Sequence, residues 1–253
     1  MRNKIYFIIS ALFLFTGNVW GQNSPEKNTQ FGFRVSPNLT WTKIKEGNVE
    51  NDGLGLGFSY GITMDKKIKS ASNAYLNVEA IVTSLRNTIS MEDSFYQGVD
   101  GAGAYYTDIK QEYRLQYLQI PVSIKMKTNS INGMKYFFQA GLAPGIILNR
   151  RVRVSANPTE ATDDDWFSPN ASENNQDRGD FQGSGLDPER TFINDIGRFR
   201  VPLLIGAGFE YTLSGSTALA VGLRWDNGFT DIFRDDRVNG INNYLGLSVG
   251  IIF

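Results

Sequence analysis

Six charged residues stand where the surrounding sequence alternates between large apolar and small side chains: Glu79, Lys125, Arg198, Arg200, Glu210 and Arg224. Two carboxylates among four cations can do one of two things. They can pair into a buried ion network, or Glu79 and Glu210 can divide acid and base work between them if their surroundings push their pKa values apart. Composition narrows the choice. The 253 residues include no histidine and no cysteine, which removes thiolate nucleophiles, Cys/His zinc sites, haem ligation through those side chains and every triad with histidine as its base. A formal net charge of -1 leaves no basic excess to displace counterions from phosphate, so nucleic acid is not expected as a partner. No cofactor is expected either.

A second set lies in the stretch 155–190, which holds nine acids against two bases. Asp163, Asp164 and Asp165 are consecutive, so they point in different directions and lack the spacing of a calcium loop. A solvated loop is the plainer reading. Trp166 and Phe167 follow directly, and two large apolar side chains at a loop tip either fold into the loop or stay exposed as a docking patch. Asp163 through Phe167 are therefore the candidate docking loop. A third pattern, Gly53-Leu-Gly-Leu-Gly-Phe-Ser-Tyr-Gly61, fails as a dinucleotide fingerprint because its third glycine would have to stand at Tyr60 and no helix pattern follows.

The elements that must position these residues are strands. Apolar side chains recur at every second position in segment after segment, from Phe31-x-Phe33-x-Val35 to Leu245-x-Leu247-x-Val249-x-Ile251-x-Phe253. The clearest run is Leu54, Leu56, Phe58, Tyr60, Ile62 and Met64, whose intervening residues are glycine, serine or threonine. Eight such segments occur. The links between them fall at about 42–52, 65–73, 86–112, 127–134, 150–194, 214–217 and 226–240, so long and short links alternate along the chain. That alternation predicts an all-β fold: an eight-stranded, antiparallel, up-and-down transmembrane β-barrel with short periplasmic turns and long extracellular loops. Residues 1–21 read as a signal peptide, with Arg2 and Lys4, an apolar run from Ile5 to Phe15, and small residues before Gln22. The barrel domain is then 22–253, exported to the outer membrane.

If the large apolar face meets lipid, the six charged residues line the interior. An eight-stranded barrel is just wide enough for side chains to fill it, so Glu79 and Glu210 are expected to pair with Lys125, Arg198, Arg200 and Arg224 in a plugged lumen. A narrow ion path along the same groups is the functional alternative. A lipocalin-like soluble barrel, with the apolar face turned inward, is the architectural one. Aromatic residues gather near strand ends: Trp41, Phe199 and Trp225 at the loop end, and Tyr136, Phe138, Phe209, Tyr211 and Phe253 at the turn end. Two girdles at headgroup level would result.

The terminal Tyr-Leu-Gly-Leu-Ser-Val-Gly-Ile-Ile-Phe253 resembles the strand that the barrel-assembly machinery reads in outer-membrane proteins. Tyr117-Leu-Gln-Ile-Pro-Val-Ser-Ile-Lys125 followed by Tyr136-Phe-Phe-Gln-Ala-Gly-Leu-Ala-Pro-Gly145, with the opening Phe31-Gly-Phe-Arg-Val-Ser-Pro-Asn-Leu39, is similar to the PorT-like outer-membrane barrels of Bacteroidetes-type bacteria. The resemblance covers about 31–253, loops excepted. It implies an eight-stranded barrel in contact with outer-membrane lipid, and an envelope complex of the type IX secretion kind as partner. Barrel proteases and lipid A deacylases use histidine, so no enzyme is expected. The overall expectation is a structural or interaction protein of the envelope, with a small transport component as the alternative.

Overall fold

The computed structural model describes residues 28–46, 50–71, 73–91, 94–97, 103–157, 166–167, 196–232 and 239–253. The signal segment 1–21 and Asp163, Asp164 and Asp165 lie outside them. A residue pattern of period two gives a strand two unlike faces, and here every such segment joins one antiparallel sheet. Its segments are β1 (Thr29–Glu46), β2 (Glu50–Asn51), β3 (Gly55–Lys67), β4 (Ala74–Met91), β5 (Ser94–Gln97), β6 (Gly103–Gln119), β7 (Val122–Lys127), β8 (Met134–Leu142), β9 (Gly145–Asn157), β10 (Trp166–Phe167), β11 (Phe199–Arg200), β12 (Pro202–Ser214), β13 (Thr217–Gly228) and β14 (Asn239–Ile252).

Three pairs of these are single staves interrupted beside a proline: β6 with β7, β8 with β9, and β11 with β12. Proline brings no N–H to the ladder, yet its carbonyl still serves. The amides of Glu79, Ile120 and Ala143 donate to the carbonyls of Pro121, Pro144 and Pro202 at 2.9, 2.8 and 3.0 Å. Counted as staves, the sheet runs β1, β3, β4, β6/β7, β8/β9, β11/β12, β13, β14 and back to β1. Eight staves close on themselves, as the alternation of links predicts. Closure is sealed at one rim, where Phe31 N–H donates to the Phe253 carbonyl at 3.1 Å and Phe253 N–H donates back at 2.8 Å. The same rim carries the tight turns, among them Gly215 at φ 56° between β12 and β13.

The large apolar face points outward. Phe31, Phe33, Val35, Phe58, Ile62, Ile124, Met126, Phe138 and Leu247 are all exposed, while Arg34, Glu79, Lys125, Glu210 and Arg224 are buried. This sets aside the soluble, ligand-filled barrel, whose faces would be reversed.

The staves reach further than the links imply. β1 continues to Glu46, β4 to Met91 and β9 to Asn157, while β6 already begins at Gly103, so much of 42–52 and 86–112 and the start of 150–194 is strand rather than loop. Period two continues there, but its faces invert. Beyond Val82 the outward positions on β4 are Ser84, Arg86, Thr88 and Ser90, while Leu85 and Ile89 are buried. Leu115, Tyr113 and Val152 are buried beside them on β6 and β9. The chain thus builds a lipid-facing barrel with a polar lumen, topped by an extension with a polar outside, inside which Leu85, Ile89, Tyr113, Leu115 and Val152 pack alongside hydrogen-bonded Thr42, Asn87 and Asn242.

Candidate functional site

The lumen holds two ion clusters. Near the turn rim, Lys125 Nζ lies 3.0 Å from Asp65 Oδ2 and 2.7 Å from Glu210 Oε1, and Lys127 Nζ lies 2.8 Å from Asp65 Oδ2 and 2.9 Å from Glu210 Oε2. Opposite charges thus alternate around a square drawn from β3, β7 and β12. Asn77 donates to Asp65 Oδ1 at 2.6 Å. Aromatic faces back both ammonium groups, Lys125 at 4.4 Å from the Phe137 ring centroid and Lys127 at 4.6 Å from that of Tyr75.

Higher up, one Glu79 oxygen serves two guanidiniums, Arg34 Nη1 at 3.2 Å and Arg224 Nη1 at 2.7 Å. Arg224 Nε donates to Asp226 Oδ1 at 2.7 Å, and Arg200 Nη1 stands 3.8 Å from Asp226 Oδ2. Arg200 also donates to the Asn242 carbonyl at 3.0 Å and lies over the Tyr244 ring. Across the neighbouring staves a chain of neutral groups continues the filling: Asn38 donates to Ser59 at 2.7 Å, Ser59 to Thr83 at 3.1 Å, and Thr83 to Gln119 at 2.8 Å. The space bounded by Arg34, Glu79, Lys125, Phe137, Gln139 and Arg224 is about 40 Å³, room for a few waters. Burying charge is tolerable only when each ion is paired, and each lumen ion here has an opposite charge beside it, although Arg34 Nε and Nη2 and Arg200 Nε make no hydrogen bond among the described residues.

Five of the six charged residues named from the sequence, Glu79, Lys125, Arg200, Glu210 and Arg224, are buried in the interior. Arg198 is a correction: it is exposed, in a bend one residue before β11 begins at Phe199, where its carbonyl still accepts from the Ile147 amide at 2.9 Å but regular pairing no longer sets the face of its side chain. Four lumen ions escaped sequence reading: Arg34, Asp65, Lys127 and Asp226. Each stands one position after a large outward residue, Phe33, Met64, Met126 and Trp225 respectively. That parity was the signal that could have found them.

Of the aromatic set, Tyr136, Phe138, Phe199, Tyr211, Trp225 and Phe253 are exposed on the outer face, while Trp41 and Phe209 are half-buried. Phe209 pairs across from Tyr136, and the Phe253 ring packs 6.0 Å from that of Phe33. Phe31 and Phe33 stand exposed at the same rim. In the acidic stretch, Trp166 and Phe167 form β10 on the edge of β9, opposite Arg153 and Val152. Among the described residues, no three carboxylates converge as metal ligands would.

A family model described as outer membrane protein beta-barrel domain matches residues 20–234. No curated protein sequence matches the chain at a significant level. Among solved structures, the chain is similar to Neisserial surface protein A at 13% identity and a TM-score of 0.43, over 89% of this chain and 96% of that one. It is also similar to OprG of Pseudomonas aeruginosa, at 10% identity and 0.41 over 90% and 97%. A third likeness is to the outer-membrane protease OmpT of Escherichia coli, at 7% and 0.41 over 94% and 99%. Likenesses so remote carry no argument about function. The family match covers most of the chain and agrees with a closed barrel that turns its apolar face outward: the chain belongs to the outer-membrane-protein β-barrel domain family, and its place is the outer membrane.

Proposed function

We propose that this barrel is a non-enzymatic structural or interaction protein of the cell envelope, which presents its extracellular extension and loops on a plugged stem. The observation that carries the reading is the filled lumen. Five cations and four carboxylates cross-link its staves from the turn rim upward, with buried Leu85, Leu115 and Val152 above them, and the space bounded by Arg34, Glu79, Lys125 and Arg224 is about 40 Å³. Glu79 and Glu210 each face two cations and are closed off from bulk water, so neither is offered to a substrate. The PorT-like strand pair around Pro121 and Pro144 supports placement in that branch, as an accessory of a secretion or assembly complex. The alternating C-terminal strand supports delivery by the barrel-assembly machinery.

Planar-bilayer recording on the purified full chain tests the plug. No resolved conductance steps are expected from the wild type. Steady openings that change with Arg200→Ala or Glu79→Ala would instead make the protein a narrow transport component. Affinity purification of tagged protein from detergent-solubilised outer membranes tests the partner half of the reading. Reproducible recovery of envelope-complex subunits is expected, and recovery of the barrel alone would leave a free-standing protein.

A further inference from the structure

The outer face just above the lipid-facing belt carries a feature that the lumen does not explain. On three adjacent staves, Arg86 of β4 pairs across from Arg114 of β6, and Arg114 from Arg151 of β9. The three therefore form one rung of guanidiniums around the outside of the barrel. The rung beneath consists of Ser84, Gln116 and Asn149 in the same register. Both rungs line a cleft of about 450 Å³, with Leu56 among its other walls and no carboxylate among its lining residues. Glu112 sits one rung higher, opposite Thr88. It accepts from Arg86 and, at 3.3 Å, from Arg114, so one carboxylate braces two of the three cations.

Height identifies what meets this cleft. The last outward apolar rung on β4 and β6 is Val82 opposite Leu118. Arg86 lies four residues beyond it, about 13 Å along a strand rising ~3.3 Å per residue, which a tilt of about 45° reduces to about 9 Å of height. The polar headgroup layer of a leaflet is only about 5–8 Å thick. Long basic side chains at that level reach back toward the headgroups while their stems stay near apolar surface. The long links place this rim on the extracellular side, so the leaflet concerned is the outer one.

We propose that the cleft binds the headgroup of a phosphorylated glycolipid of the outer leaflet. The planar guanidinium fork matches phosphate oxygens with two parallel hydrogen bonds, and a row of three can hold more than one phosphate. The hydroxyl and amide groups of Ser84, Gln116 and Asn149 are suited to sugar hydroxyls. Leu56, exposed on β3 at the level of Arg86, carries apolar surface up to the cleft. A cleft of 450 Å³ is far larger than one phosphate requires and suits a sugar phosphate.

Native mass spectrometry of the detergent-solubilised full chain tests this, with diphosphorylated lipid A as probe and its dephosphorylated form as control. Wild-type protein is expected to retain the phosphorylated lipid at least tenfold more tightly than the control, and the R86Q/R114Q/R151Q variant to lose that preference. The Q116A/N149A variant keeps every charge and should lose affinity severalfold for both lipids. If the triple variant fails to refold, Arg151→Gln alone is expected to weaken binding about threefold. Equal retention of both lipids by the wild type, or wild-type affinity in the arginine variants that fold, overturns the proposal. Arginine-dependent binding of inorganic phosphate or of a soluble sulfated oligosaccharide as tight as that of lipid A also overturns it, in favour of a soluble anion.

Discussion

Glu79 joins three staves that do not all touch, because its carboxylate on β4 meets Arg34 from β1 and Arg224 from β13. Removing its charge while keeping its shape leaves the buried Arg34 guanidinium without its carboxylate and Arg224 with Asp226 alone. Breaking a buried pair in this way costs about 3–5 kcal/mol, so Glu79→Gln should lower stability by that order. Urea titration of refolded protein, read from the mobility difference between folded and boiled samples, checks it, and a loss below ~1 kcal/mol would show that the lumen ions do not support the barrel. This scale was half legible. Glu79, Lys125, Arg200, Glu210 and Arg224 could be read because outward apolar residues flank them on both sides. Asp65, Lys127 and Asp226 keep the same parity but escape that reading, because each is the first residue past its apolar run, and a charge there reads as the start of a turn. Arg34 lies between Phe33 and Val35 and obeyed the rule in full. Arg198 shares the parity of Arg200, but it stands in a bend one residue before the strand, and parity fixes a side chain's face only where the backbone is extended.

At the scale of elements, the strand count and the order of links followed from period two, but the lengths did not. In the link 86–112 the outward residues Arg86, Thr88, Ser90, Lys110 and Glu112 are polar, and a search for outward apolar residues stops where lipid stops. Ser84-Leu-Arg-Asn-Thr-Ile-Ser90 is still a strand, because Leu85 and Ile89 now fill the inside. The inversion divides the molecule into two parts held by different balances of force: ion pairs and lipid below, and above them apolar burial beside the neutral hydrogen bonds of Thr42, Asn87 and Asn242. Leu115→Ala removes buried side chain from the upper part, at a cost of about 2–5 kcal/mol for a core leucine. Limited proteolysis is expected to nick this variant within 86–112 at protease levels the wild type resists, while its lower barrel keeps the mobility of folded protein on gels. Loss of both together would mean that the extension and the stem unfold as one unit, against the division drawn here.

For the whole molecule the decisive contact is between its first and last staves, β1 and β14. In hydrocarbon, each unpaired backbone group costs several kcal/mol, so only a closed sheet can span. Closure here rests on eleven residue pairs in one register between β1 and β14, with a twelfth, Glu46 opposite Asn239, beyond a bulge, and on the reciprocal Phe31 and Phe253 bonds at the rim. Phe253 therefore has two separable roles: its backbone seals the seam, while its ring packs on Phe33 and ends the alternating strand that assembly machinery is proposed to read. Phe253→Ala removes the ring and keeps the backbone bonds, whereas deletion of the residue removes both. If the ring acts in recognition, Phe253→Ala should fold into lipid vesicles with near wild-type yield and yet reach the outer membrane severalfold less in cells. Deletion should lower both yields. Measuring the folded fraction in vesicles and in isolated membranes separates the roles: equal losses for Phe253→Ala in the two settings would assign the ring to closure, and no loss in either would place the assembly signal elsewhere in β14.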